Sequence, residues 1–167
     1  MQWDEVPDMA LYTASMGGSG SRKMSKREAE RAYDKILQKV FKVAGREMTW
    51  TDELDRLGSK WLGSKYNGAL PSDKMPNLTE RRPYAILNLD SSDQAGSHWI
   101  SIAKMGDKVL VYDSFGRKAK DIIDIPGKLV NTEADAEQAI TADSCGQRSL
   151  AFLVFVDRYG AEAAMHI

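Results

Sequence analysis

The sequence predicts an α+β fold, with helices at both ends of one domain and consecutive strands between them. Three observations predict it. Apolar residues recur with helical spacing between 25 and 45, short strand-like segments follow one another between 83 and 113, and the segment 145–159 is apolar on nearly all sides. The 167 residues are the length of one ordinary domain. We expect 25–167 to form that domain, after a flexible tail at 1–24.

The composition is that of a globular protein and excludes several classes of function. Hydrophobic residues make up 43% and charged residues 28% of the chain, and the formal charge of −1 gives no overall attraction to nucleic acid or membrane. The longest apolar run, 150–156, is far shorter than the roughly 20 residues of a membrane span. The acidic N-terminal segment lacks a signal pattern. We therefore expect a soluble, unsecreted, intracellular protein with no membrane partner.

One cysteine and two histidines limit the available chemistry. A single cysteine can form no intramolecular disulfide, which fits a reducing compartment. Cys145, His98 and His166 are too few for a zinc site of the usual Cys/His type. We expect no metal and no other cofactor.

The first predicted helix begins near Ser25. Ser25 and Glu28 have the spacing of a capping box, and Gly45 is a fitting stop. The apolar positions with helical spacing are Ala29, Ala32, Tyr33, Ile36, Leu37, Val40, Phe41 and Ala44. The opposite face carries Arg27, Arg31, Lys35, Lys39, Lys42 and Arg46. We interpret this basic face as solvated, with a weak contact to DNA as the alternative.

The remaining elements alternate between helices and strands. In order, the predictions are a helix at 51–57, an irregular stretch at 58–83, strands at 83–89, 98–103 and 108–113, a helix at 118–125, a strand at 128–130 and a buried helix at 145–159. A tight turn at 105–107 should join the second and third strands as a hairpin. No internal repeat is visible.

Cys145 stands at the predicted start of the buried helix. The positive end of a helix favours the thiolate, which is the nucleophilic form of cysteine. Gly146 follows, and a glycine there would let the backbone of a substrate come close. The alternative is that Cys145 is a small buried hydrophobic residue, the commoner fate of a cysteine. Its polar neighbours at 143–147 argue against that alternative.

A nucleophilic cysteine needs a base, a group that orients the base, and a donor for the oxyanion. His98 lies at a loop-to-strand junction and is the candidate base; the alternative is a hydrogen-bonded structural histidine. Asp113 ends the neighbouring strand of the hairpin and could orient the imidazole, or it could simply begin a turn. Gln138 could donate to the oxyanion, although an isolated glutamine is no signal.

Taken together, these residues resemble a known pattern. The order His-Trp, acidic residue, Gln and Cys-Gly resembles the adenovirus-type (adenain-like) maturation cysteine proteases and the SUMO-specific proteases of the same clan. The matching segments are Gly96-Ser97-His98-Trp99, Tyr112-Asp113-Ser114-Phe115-Gly116, Gln138 and Cys145-Gly146, with 66–76 and 86–90 similar upstream. The resemblance covers about residues 50 to 158.

The resemblance implies a papain-like fold, with a central, mainly antiparallel sheet packed against helices and the cysteine at a helix N-terminus. It implies a triad of Cys145, His98 and Asp113, with Gln138 in the oxyanion hole. Trp99 would pack beside the histidine and, with Gly146, contact substrate.

The function that the resemblance implies is thiol endopeptidase activity on viral precursor proteins: cleavage at Gly-containing sites of capsid or core precursors. The expected location is the virion and the host cytoplasm or nucleus. Two alternatives stay open. The chain could be an isopeptidase for SUMO or another ubiquitin-like modifier, whose relatives carry Asp at the position of Asp113, or an inactive structural virion component.

Two departures and one possible substrate follow from the same comparison. The adenovirus enzymes are activated by a peptide linked through a second cysteine, which this sequence lacks. The chain also ends soon after the cysteine helix, so we expect C-terminal elements of the family to be missing. The segment 16–20 fits the Met/Ile/Leu-X-Gly-X pattern before Gly, which suggests self-cleavage between Ser19 and Gly20; the alternative is an ordinary Gly/Ser linker.

Overall fold

The computed structural model describes residues 23–90, 98–133 and 143–167. The Ser19–Gly20 bond, nearly all of the predicted tail and Gln138 lie outside these ranges, so the expectations for them stay predictions.

Within the described residues, five strands form one mixed sheet and the helices pack around it. The helices are α1 (Lys26–Ala44), α2 (Thr51–Leu62), α3 (Ala119–Ile122), α4 (Cys145–Tyr159) and α5 (Ala161–Ala164). The strands are β1 (Tyr66–Pro71), β2 (Tyr84–Asn88), β3 (Trp99–Met105), β4 (Lys108–Tyr112) and β5 (Lys128–Asn131). Short 3₁₀ turns at Gly63–Lys65 and Ser72–Lys74 flank β1. The α+β class is confirmed.

The strands lie in the sheet in chain order, from β1 to β5. The β2–β3 and β3–β4 pairs are antiparallel, whereas the β1–β2 and β4–β5 pairs are parallel. The expectation of a mainly antiparallel sheet is therefore wrong. Parallel neighbours need a crossover connection, and here α3 lies in one crossover and the segment 72–83 forms the other.

The first part of the stretch 58–83 is regular, contrary to prediction, and the irregular part begins only after Lys74. α2 continues through Gly58 to Leu62, and β1 follows after a single 3₁₀ turn. A Cβ at Gly58 would lie 2.5 Å from Cε2 of Tyr66, so the tyrosine ring packs directly on the helix backbone. The Tyr66 hydroxyl also donates to Asp55 Oδ1 at 3.0 Å. This glycine marks a close helix–strand contact instead of a helix end.

α1 begins and ends as predicted. The Ser25 hydroxyl accepts the Glu28 N–H at 3.2 Å, and the Glu28 carboxylate accepts the Ser25 N–H at 3.4 Å, which confirms the capping box. Met24 just before the helix is buried in the core. The basic residues on the outer face are exposed apart from Lys39, which is half-buried.

α4 is the central helix of the larger core layer, which it forms with α1 and α2 on one face of the sheet. Leu150, Phe152 and Phe155 are fully buried, as predicted for this segment. The rings of Tyr112 and Phe152 stack with centroids 4.5 Å apart. Each buried side chain of this size contributes roughly 1.5–3 kcal/mol. This packing holds α4 against the sheet and so fixes the position of Cys145, its first residue.

The other face of the sheet carries a smaller apolar layer. It is built from alternate strand residues, such as Leu87, Ile100 and Val111, and is covered by Ala119 and Ile122 of α3. Among the described residues, no helix is long and apolar enough to cross a membrane.

Candidate active site

The start of α4 lies against the start of β3, and this contact positions Cys145. Cys145 is the first residue of α4 and is only 7% exposed. Its Sγ accepts the backbone N–H of Trp99, with 3.4 Å between nitrogen and sulfur. One turn further along α4, the Ser149 hydroxyl donates to the Trp99 carbonyl at 3.1 Å. Both backbone groups of Trp99 are therefore attached to α4.

The backbone groups of Trp99 reach α4 because β4 ends early. The β3–β4 ladder ends at the pair Ser101–Tyr112. On the opposite edge of β3, the His98 carbonyl accepts the Leu89 N–H at 3.0 Å. Adjacent residues in a strand direct their backbone groups to opposite sides, so those of Trp99 point toward the space that follows β4. In that space α4 takes the place of a strand partner.

His98 and Asp113 form a buried pair. His98 Nε2 lies 2.6 Å from Asp113 Oδ1, and the two side chains are 6% and 1% exposed. An ionised carboxylate can only accept, so Nε2 carries the hydrogen and donates it. In the neutral ring Nδ1 is then the bare nitrogen, and within the described residues it has no hydrogen-bond partner. The pair therefore fixes the tautomer that leaves one ring nitrogen free to act as a base.

The pKa of His98 lies above its ordinary value. Burial acts in the opposite direction and would lower it, but the hydrogen bond to Asp113 and the charges of Cys145 and Asp113 raise it. Cys145 is therefore one of the groups that raise the pKa of His98. This surrounding favours an imidazolium between two acidic partners.

Three donors hold the carboxylate of Asp113. Arg117 Nε donates to Oδ2 at 2.8 Å, and the Phe115 N–H donates to Oδ1 at 3.0 Å. Burial would raise the pKa of Asp113, but the bonds from His98, Arg117 and Phe115 lower it below its ordinary value. The Asp113 carbonyl also accepts the Gly116 N–H at 2.8 Å, so this aspartate both begins a turn and binds the histidine.

Phe115 and Arg117 complete the surroundings of the imidazole. The Phe115 ring stacks on the His98 ring, with 3.9 Å between centroids and 17° between planes. The Arg117 guanidinium lies 5.2 Å from the centroid of the Phe115 ring. The sequence pattern includes Phe115 without a role and omits Arg117, because an Asp–Arg spacing of four outside a helix carries no signal.

Gly146 has a packing reason to be glycine. A Cβ there would lie 2.6 Å from Thr49 Cγ2 and 3.3 Å from Trp99 Cδ1. The missing side chain lets Thr49 and Trp99 close over the start of α4. Substrate contact by Gly146 or Trp99 stays a prediction, since both are largely covered by the protein itself.

The loop before α2 is fastened to the same helix start. Gln147 is fully buried, and its side-chain amide donates to the carbonyls of Gly45 and Glu47 at 3.0 and 2.5 Å. Thr49 is buried in this loop, whereas Met48 and Trp50 on either side are 48% and 64% exposed. The loop thus presents two apolar side chains next to the cysteine helix, a feature that no sequence pattern indicated.

His166, the other candidate base, has its contacts elsewhere in the structure. His166, the second histidine, lies 3.3 Å from a Glu133 carboxylate oxygen and lines a surface cleft of about 290 Å³ between α1 and Arg148. In the part of the chain that the structure describes, no group of three or more His, Cys, Asp or Glu side chains could hold a metal ion. Gln138 lies outside the described ranges, so its oxyanion role stays a prediction.

Replacing Asp113 with asparagine should lower stability in a pH-dependent way. Folding lowers the pKa of Asp113, so the ionised carboxylate stabilises the folded state. This stabilisation is complete above the pKa of the unfolded chain, about 3.9, and is lost as the pH falls through the pKa of the folded protein. Folding raises the pKa of His98, so the protonated imidazole also stabilises the folded state. This stabilisation is complete below the pKa of the unfolded chain, about 6.5, and is lost as the pH rises through the pKa of the folded protein. We expect a deficit of about 1.5–3 kcal/mol at pH 5–6.

Urea unfolding between pH 3 and pH 9 would measure this deficit. It should shrink at both ends of the range. Glu53→Gln, which breaks the solvent-exposed pair with Arg56, is the matched control and should leave the free energy of unfolding nearly unchanged at every pH. A deficit for Asp113→Asn that is the same at every pH would contradict the assignment of charge to the pair.

No protein-family model matches the chain, and no curated protein matches it either. The functional proposal therefore depends on the geometry around Cys145 and on the sequence resemblance.

Proposed function

We propose that the chain is a cysteine endopeptidase in which Cys145 is the nucleophile, His98 the base and Asp113 the group that orients the base. The observation that carries the proposal is the buried His98–Asp113 hydrogen bond of 2.6 Å. Among the described residues the second imidazole nitrogen has no hydrogen-bond partner, and Cys145 helps to raise the pKa of the same ring. A structural histidine would be expected to use both nitrogens once it is buried.

The chemistry would follow from these positions. His98 Nδ1 takes the thiol proton, and the thiolate sulfur attacks the carbonyl carbon of the scissile peptide bond. The imidazolium, stabilised by Asp113, then gives the proton to the departing amine as the carbon–nitrogen bond breaks. A water molecule, deprotonated by His98, hydrolyses the thioester and restores Cys145.

The negative oxygen of the tetrahedral intermediate needs donors. The first backbone N–H groups of an α-helix have no acceptor within the helix, and Cys145 is the first residue of α4, at the positive end of the helix dipole. Gln138 is the second proposed donor, through its side-chain amide. Removal of one such donor typically lowers kcat by about 10²–10³-fold.

A papain-like arrangement is part of the proposal. It is supported by a cysteine at the N-terminus of a buried helix, packed on a sheet whose neighbouring strands carry the histidine and the aspartate at their ends. The resemblance to adenovirus-type enzymes extends the proposal to the cleavage of viral precursor proteins during virion maturation.

The loop beside the site supports a preference for apolar substrate side chains. Met48 and Trp50 are exposed next to Thr49, whose methyl group packs against Gly146. An apolar side chain of a bound peptide could lie against them, in line with the Met, Ile or Leu that the resemblance expects before the Gly-containing site. Exposed large apolar side chains are a common feature of binding surfaces.

Incubation with peptides of the form Met-X-Gly-X-Gly tests the proposal. We expect cleavage before the last glycine, detected by mass spectrometry, and none with Cys145→Ala. A peptide aldehyde ending in glycine should add reversibly to Cys145 in the wild-type protein. If neither cleavage nor an adduct is found, the endopeptidase proposal fails, and an inactive structural role gains support.

The isopeptidase alternative is favoured by one observation, the aspartate at position 113 where the adenovirus enzymes usually carry glutamate. Both activities need a passage that admits glycines. Aldehyde probes made from the C-termini of SUMO and other ubiquitin-like modifiers would distinguish them. Faster reaction with a full modifier than with its last residues alone would favour the isopeptidase.

A further inference from the structure

We propose that Arg117 is a positioning residue for Asp113: it fixes the carboxylate so that Oδ1 stays ionised and directed at His98 in acidic solution. The effect of Arg117 on catalysis rests on the proposed function, whereas its contacts with Asp113 do not. The resemblance assigns no role to position 117.

The two oxygens of the Asp113 carboxylate have different partners. Oδ1 accepts from His98 and from the Phe115 N–H, and Oδ2 accepts from Arg117 Nε at 2.8 Å. The Asp113 side chain is 1% exposed, so the bond to Arg117 is shielded on the carboxylate side. Charge-assisted bonds of this kind are roughly twice as strong as neutral ones. Rotation of the carboxylate would break both Arg117 and His98 contacts at once.

Arg117 is itself held in place. Its guanidinium lies over the Phe115 ring, and that ring stacks on the imidazole of His98. The turn 113–117 therefore wraps around the imidazole from both its edge and its face. Arg117 is 43% exposed, so its charge stays solvated while its Nε reaches the buried oxygen.

Among the residues that the structure describes, few charged and titratable groups lie around this carboxylate. His98 faces it from the start of β3 and Arg117 from the turn after β4, while Cys145 on α4 acts through His98. Removal of Arg117 takes away the one permanent positive charge of this group. Asp113 should then take up a proton at a higher pH, and its bond to the imidazole should weaken earlier during acidification.

The imidazole hydrogen offers a direct measurement. The Nε2–H of His98, in a short and buried hydrogen bond, should give a strongly downfield proton resonance in NMR spectra. Cys145→Ser as the background removes the coupled titration of the thiol, and His166→Gln removes the only other imidazole. The pH at which the resonance disappears on acidification reports on the Asp113–His98 bond.

We expect Arg117→Gln to move this midpoint to higher pH, and Arg117→Met, which keeps the contact with Phe115, to do the same. Arg117→Lys keeps the charge and should lie between wild type and the neutral variants. Arg56→Gln removes an arginine paired with an exposed carboxylate, Glu53, and should leave the midpoint unchanged. If Arg117→Gln fails to fold, Arg117→Met decides.

An unchanged midpoint in a folded, neutral variant would overturn the inference. In the enzyme with Cys145, the acid limb of the pH profile of kcat/KM should move in the same direction as the midpoint. Failure of the proposed function would instead appear as absence of cleavage and adduct in the wild-type protein, with the NMR result unaffected. The two failures are therefore distinguishable.

Discussion

Iodoacetamide should alkylate Cys145 of the His98→Gln variant about ten- to a hundredfold more slowly than the wild-type protein at pH 5.5. Iodoacetamide reacts with the thiolate, and without a nearby base to take the proton little of the thiol is in that form at this pH. The rate for the variant should rise toward that of a free thiol above pH 8. Since the chain has one cysteine, intact mass measures this reaction alone.

His166→Gln is the matched control for this experiment, because it removes the other histidine. Its alkylation profile should equal that of the wild-type protein. Cys145 is buried, so a variant that merely loosens the site would react faster at every pH. A faster reaction at all pH values for His98→Gln would show that the histidine covers the sulfur without activating it.

Replacement of Gly146 with alanine should destabilise the fold by about 1–3 kcal/mol, as overpacking in a closely packed region does. The added methyl group would meet Thr49 Cγ2 at 2.6 Å and press on Trp99 at 3.3 Å. The Trp99 N–H is the donor to Cys145 Sγ, so the shift should also change the alkylation rate. Urea unfolding at pH 6 measures the stability, and a shift of midpoint without a change of slope is expected.

Thr49→Ser provides the partner for a double-mutant cycle, since it removes the Cγ2 methyl that the new Cβ would meet. Stability lost in Gly146→Ala should be partly recovered in the double variant. The double variant should be less destabilised than the sum of the two single variants by at least about 0.5 kcal/mol, as is usual for residues in direct contact. Additive effects would mean that the clash with Thr49 is not the cause of the loss.

The elements with strong local signals could be predicted, and those defined by contacts could not. α1 has a capping box and helical spacing, and Cys145–Tyr159 is apolar on all sides, so both helices follow from local sequence. β1 is different. Its strand character depends on pairing with β2 and on the contact between Gly58 and Tyr66, which joins positions eight apart only after folding.

The candidate site likewise contains residues that the sequence could predict and residues that it could not. Cys145, His98 and Asp113 carry side chains whose chemistry is visible in the sequence, and the hairpin between β3 and β4 brings the last two together. Arg117 and Thr49 act through their position around those residues, and nothing in their spacing indicates it. The parallel pairing of β4 with β5 is likewise set by a crossover whose direction the local pattern does not encode.

The attachment of Trp99 to α4 uses only backbone atoms on the strand side. These two hydrogen bonds should therefore persist when the side chain at position 99 is changed, provided that the backbone conformation of the strand stays the same. They would not survive an insertion or deletion of one residue within the start of β3, because successive residues in a strand direct their N–H and C=O groups to alternate edges. Homologous sequences should accordingly vary in length around this segment, but not inside it.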